Sequence, residues 1–127
     1  MAELRLVRSM ARFLAIILVI FAASAFAGTQ WTRDKVVGLR FYIVDPVRVE
    51  NYWCTKDGFV AVEIGTHKAI TPPLWHWKIH DGRLQFSESD SIKEEFTLLE
   101  MRDGSLTVRR RSGEIASFHY RFEHPKT

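Results

Sequence analysis

The chain has 127 residues, 18 of them Lys or Arg against 15 Asp or Glu, with 46% apolar and 26% charged residues and a single cysteine. One domain fits that length; the apolar content excludes a disordered chain, and a lone Cys54 excludes a disulfide scaffold or a cysteine-cluster metal site. The basic excess sits at the start: without Arg5, Arg8, Arg12 and Glu3 the remainder carries 15 basic against 14 acidic residues, so charge gives no argument for nucleic-acid binding.

Residues 1–12 hold three Arg and one Glu, and the uncharged, apolar run Phe13 to Ala27 ends in Ala25-Phe26-Ala27. A positive start, an apolar middle and a small-x-small end form a secretory signal. The run falls short of the roughly 20 residues that cross a bilayer, which argues against a retained anchor. Residues 1–27 are therefore expected to be removed, leaving residues 28–127 as one domain working outside the cytoplasm, periplasmic or secreted.

Gly28 to Val36 is polar and reads as a lead-in arm. Beyond it the pattern is β. Val37, Leu39, Phe41 and Ile43 share one parity, and the Asp45-Pro46 turn follows. Residues 47–54 are ambiguous; Val47, Val49 and Trp53 are expected to point inward, which carries Asn51 inward with them. Val60, Val62 and Ile64 alternate, as do Trp75, Trp77 and Ile79, then Leu84 and Phe86. Residues 94–101 hold apolar side chains of both parities, which predicts a strand covered on both faces or bulged. Leu106 and Val108, then Ala116, Phe118, Tyr120 and Phe122, complete the series. Period two means one buried and one wet face. Asp57-Gly58, Asp81-Gly82, Asp103-Gly104 and Ser112-Gly113 mark hairpins, because Gly accepts the positive φ such turns need. Residues 123–127 read as a frayed tail. The fold class is all-β: an antiparallel meander of about eight short strands in a small closed or partly open barrel, with a β-sandwich as the alternative.

The opening strand Val36 to Phe41, Trp53 before the Asp57-Gly58 hairpin into Phe59 to Val62, and the late stretches Asp81 to Phe86, Phe96 to Leu99 and Asp103 to Val108 together resemble small exported lipocalin-like (calycin) β-barrel domains. The resemblance covers nearly all of residues 36–122. It implies an eight-stranded barrel and small-ligand carriage, and it assigns no binding residue.

The candidate chemistry follows from the strands. Phe41, Trp53, Trp75, Trp77, Phe86, Phe96, Phe118, Tyr120 and Phe122 form an aromatic-rich inner set. Such a set can line an apolar pocket or fill a small barrel solid, and the filled barrel is favoured at this size. Trp75, Trp77, Asn51, Trp53 and Tyr120 are the candidate ligand-binding residues, with a shallow pocket near Pro72 and Pro73. His76 and His80 share a strand face but stand about 13 Å apart, too far to share one ion, so no metal is expected. Arg109-Arg110-Arg111 could meet phosphate, anionic lipid head groups or an acidic partner; a solvated hairpin end is the favoured reading. Glu94 and Glu95 should face opposite sides, a poor arrangement for acid–base work. Cys54 reads as a semi-buried inert thiol, with an intermolecular disulfide left open. No nucleophile elbow, zinc-protease helix or phosphate loop is present, so no catalysis and no cofactor are expected. The expected function is non-catalytic binding of a small apolar or lipid-like ligand in or at the mouth of the barrel. The alternative is a protein-interaction module, an envelope assembly factor or an inhibitor of another exported protein, acting through loops.

Overall fold

The structure, a computed structural model, describes residues 30–124; the expected leader and cleavage site, and residues 125–127, lie outside them. A one-turn helix, α1 (Arg33–Val36), precedes nine strands: β1 (Leu39–Tyr42), β2 (Arg48–Cys54), β3 (Phe59–Thr66), β4 (Ala69–Thr71), β5 (Leu74–His80), β6 (Arg83–Glu88), β7 (Ser91–Arg102), β8 (Ser105–Arg110) and β9 (Ile115–Phe122). All pairings are antiparallel. Eight strands close in the cycle β1-β2-β3-β5-β6-β7-β8-β9, with β9 returning to β1, so the expected barrel forms and leaves no free barrel edge. The ninth strand, β4, pairs only with the end of β3, over Ile64 to Thr66. The Asp-Gly and Ser-Gly pairs lie at turns as expected; Asp81 and Gly82 both take positive φ, 51° and 74°.

The interior is packed with rings. Phe41 lies 5.0 Å from Tyr52 and 5.1 Å from Phe118 between ring centroids; Tyr52 is 5.2 Å from Phe86, and Phe86 is 5.4 Å from Phe96. These five rings are buried, with Leu39, Val60, Leu84, Leu106 and Val108 around them. Each ring buries roughly 150–250 Å², and contacts at this spacing fill the middle of a narrow barrel.

One end is sealed. The Trp31 indole is buried and donates to the Phe96 carbonyl at 3.0 Å, while its backbone N–H donates to Gly82 at 3.3 Å. Arg33 reaches the Lys56 carbonyl at 2.9 Å, and Val36 is fully buried. A four-residue helix has no stability of its own. It exists because Trp31 and Val36 anchor it across the barrel end. The supposed polar arm is therefore a plug, and the tail is ordered at least to Glu123, whose N–H donates to Gly38 at 2.7 Å.

Strand β2 corrects the expected parity. Glu50, Tyr52 and Cys54 face inward, and Val49, Asn51 and Trp53 face outward. The Asp45 carboxylate accepts the N–H groups of Val47 and Arg48, both at 2.8 Å, and sets where the strand begins. Those two backbone hydrogen bonds hold its carboxyl below the usual range. Moving the register by one residue would invert every side chain of the strand. Phe122 also departs from the inner set; it is exposed at the barrel end. The ambiguous segment 94–101 carries the expected irregularity, a register shift between Leu98 and Glu100.

Cys54 is fully buried, not semi-buried, and burial pushes its thiol up. A thiol-reactive chromogenic disulfide should leave the native protein unlabelled and label one thiol per chain after denaturation; native labelling would contradict this packing. Trp31→Ala should cost about 3–5 kcal/mol in urea unfolding, the usual range for emptying a large aromatic site. A cost near zero would show that the plug seals nothing.

Candidate functional site

The end opposite the plug is capped from within by charge. Glu50 on β2, Glu94 on β7 and Arg110 on β8 converge, with side chains 6%, 20% and 14% exposed. One Arg110 terminal nitrogen donates to Glu50 Oε1 at 2.5 Å and to Glu94 Oε1 at 2.7 Å. The Tyr52 hydroxyl donates to the same Glu50 oxygen at 2.7 Å, and Arg48 donates to Glu50 Oε2 at 3.2 Å. The Arg110 guanidinium also lies 5.8 Å over the Phe96 ring. Burial works to lower the guanidinium's proton affinity, but the hydrogen bonds to Glu50 and Glu94 outweigh it and hold the charge. Burial, Glu50's charge and their hydrogen bond push the Tyr52 phenol up. A buried carboxylate is tolerated here because each oxygen has donors. Arg110 is thus no solvated hairpin tip; its neighbours Arg109 and Arg111 are the exposed pair. Glu95 faces the other side from Glu94, as expected. It accepts from Gln85 at 2.6 Å and Arg83 at 3.1 Å, which hold its carboxyl below its usual range.

Beside this cap, where β1 and β2 part into the loop of residues 43–47, a cleft of about 260 Å³ opens on the barrel wall. Arg40 and Tyr42 of β1, Asn51 of β2 and Arg121 of β9 form its wall, with Arg48 and His67 at its margin. His67 is clasped to the loop: its Nε2 lies 2.9 Å from the Asp45 carbonyl and its N–H donates to Val47. Val44 and Val47 of that loop stand exposed next to the cleft. A second cleft, about 230 Å³, is lined by Trp53, Gly38 and Glu123 among others. A third, about 500 Å³, lies along β6 to β8 by Arg83, Leu99 and Arg109.

The five candidate binding residues do not meet. Trp75 and Trp77 face inward and are buried, and their indole N–H groups are engaged, donating to Glu88 Oε2 at 3.1 Å and the Thr55 carbonyl at 2.7 Å. Tyr120 is half-buried against the core. Asn51 and Trp53 lie on the outer wall, contrary to the inward placement. Asn51 accepts from Arg40 Nε at 3.2 Å and donates to Glu63 at 3.0 Å; the Trp53 indole donates to the Glu123 carbonyl at 3.1 Å. Only Asn51 reaches the first cleft. Glu50, Arg40 and Arg121 also belong to this site and were not among the candidates. A strand-by-strand reading carries no signal that pairs Glu50 with Arg110, sixty residues apart. The shared wall of Arg40 and Arg121 appears only once β9 closes on β1. His76 and His80 lie exposed on β5, and among the described residues no three His, Cys, Asp or Glu side chains gather as metal ligands.

Removing the guanidinium should be severe. Arg110→Met leaves two inward carboxylates without their cation and should cost about 3–5 kcal/mol in urea unfolding. Adding Glu50→Gln and Glu94→Gln to that variant should restore most of the loss. If Arg110→Met unfolds like the wild type, the ion cluster does not hold this end.

No family model matches the chain, and neither does any curated protein or solved structure.

Proposed function

We propose that the protein is an exported, non-catalytic binding barrel that takes a small amphipathic or lipid-like ligand on its wall and rim, not within a lumen. The observation that carries this reading is the cleft below loop 43–47, where convergent polar groups lie beside the exposed Val44 and Val47. A concave site with a few placed polar groups and an apolar margin is the usual form of a small-molecule site. The volume suits a head group or a small molecule, and the valines offer a surface for an apolar part. The packed rings support a site outside the core. Two placements support binding without catalysis: the inward carboxylates are committed to Arg110, and the only thiol is buried. The secretory layout of residues 1–27 supports a place outside the cytoplasm.

A second reading, a protein-interaction module, is favoured by a different patch. Phe59 and Leu74 stand exposed on paired strands β3 and β5, with Ile70 exposed on β4 beyond them. Contiguous exposed apolar side chains mark contact surfaces.

Native mass spectrometry of the protein recovered from its own host separates the two. The ligand reading expects a chain beginning at Gly28 with a non-covalent small molecule, lost in Val44→Ser with Val47→Ser and kept in Phe59→Ser with Leu74→Ser. A bare chain, or the reverse dependence on the two variants, would overturn it.

A further inference from the structure

We infer that the cleft between β1, β2 and β9 is an anion site, built for a phosphate group either free or on a lipid head; this names the ligand chemistry of the cleft proposed above and rests on that cleft being used. Three strands deliver permanent cations to it: Arg40, Arg48 and Arg121. The single carboxylate among the lining residues, Glu50, is held by Arg110 and Tyr52 from within the barrel and by Arg48 at 3.2 Å, so Arg48 is already paired and the case rests on Arg40 and Arg121. Arg40 and Arg121 share one further carboxylate, Glu123, at 3.1 and 2.6 Å, so two guanidinium groups face one acid. The Arg40 hydrogen bond, with Arg121 adding to it, holds the Glu123 carboxyl below its usual range, as a positive surrounding would.

The register makes the crowding more telling. Arg40 and Arg121 are direct cross-strand partners, a placement in which like charges repel. Each is nevertheless held in place. Arg40 is fixed through Nε to Asn51 and through Nη1 to Glu123, and among the described residues no acceptor engages its Nη2. Arg121 lies 5.8 Å over the Tyr42 ring and meets Glu123 through Nε; its two terminal nitrogens take no acceptor among the described residues. Tyr42 is in turn stacked on His119, 5.7 Å between centroids. Donors oriented by other contacts, with their ends left over, suit a multidentate oxyanion better than a solvated surface does. A phosphate offers the charge and the several acceptor oxygens that two guanidinium forks can share.

The test is an amide-resolved NMR titration of the mature chain with inorganic phosphate, against chloride at matched ionic strength, which removes simple screening. Phosphate should shift amides of residues 40–42, 48–51 and 121 where chloride does not. Arg40→Gln with Arg121→Gln should weaken binding about tenfold or more, since charge-assisted hydrogen bonds are lost. The unfolding midpoint should stay close to wild type, because both side chains are surface-facing. A second arm uses vesicles of phosphatidylcholine with and without phosphatidic acid. Sedimentation with the acidic vesicles alone, competed by inorganic phosphate, assigns the head group of a lipid; phosphate binding without vesicle binding assigns free phosphate or a soluble ester. Phosphate and chloride acting alike, with no binding to acidic vesicles, overturns the inference. That failure is distinct from failure of the ligand reading: a host-recovered chain can carry a molecule that phosphate does not mimic, and a chain recovered bare can still titrate with phosphate.

Discussion

The guanidinium of Arg110, held between Glu50 and Glu94, is the interaction on which the rest of the structure turns. It makes an inward glutamate tolerable on β2. Once Glu50 faces inward, Tyr52 and Cys54 must follow, because side chains alternate along a strand. Tyr52 then brings a ring into contact with Phe41 and Phe86 and a hydroxyl onto Glu50, so one residue belongs to both the aromatic layer and the charged cap. The same parity turns Val49, Asn51 and Trp53 outward, placing Val49 and Asn51 in the wall of the first cleft and Trp53 in the second. Interior and surface chemistry are two consequences of one register.

That register also explains why the two ends of the barrel differ. The plugged end is closed by apolar burial and backbone hydrogen bonds: Trp31 and Val36 inside, with Gly82, Phe96 and Lys56 carbonyls as acceptors. The other end is closed by paired charge. Between them the rings leave little room for a guest, in keeping with the narrow interior of an eight-stranded barrel. The proposed binding site therefore lies on the wall, where strand spacing and loop 43–47 can vary without unpacking the core.

Much of the fold was legible in the sequence. Period-two runs located the barrel strands, and the Gly-containing pairs located four turns, because these signals are local. Placements whose deciding partner is distant in the chain were not legible. Residues 47–54 offer two nearly equal apolar sets, Val47, Val49 and Trp53 against Tyr52 and Cys54, and the tie is broken by Arg110 on another strand. Trp31 sits in a polar stretch and looked like part of an arm; its burial depends on an acceptor at Phe96, sixty-five residues away. Arg109 to Arg111 looked like one cluster, yet strand alternation sends the middle residue inward and its neighbours out. The candidate site was less legible than the fold, since only Asn51 of its expected residues reaches the cleft and it does so from the opposite side of the wall.

Arg40 opposite Arg121 is the place where local preference and the whole fold disagree. A sequence selected only for stability would put opposite charges there, since cross-strand like pairs cost and unlike pairs gain. Glu123 at the end of β9 could have been left to one arginine; it is divided between two. Nothing in the core requires either cation, because both side chains face outward from positions whose neighbours, Leu39, Phe41 and Tyr120, do the inward packing. Sequences that satisfy propensity, pattern and packing almost everywhere tend to break a rule where function demands it. The broken rule here coincides with the concavity that also collects Arg48 and Asn51. The proposed anion site would account for placing two cations opposite each other, which core packing does not require.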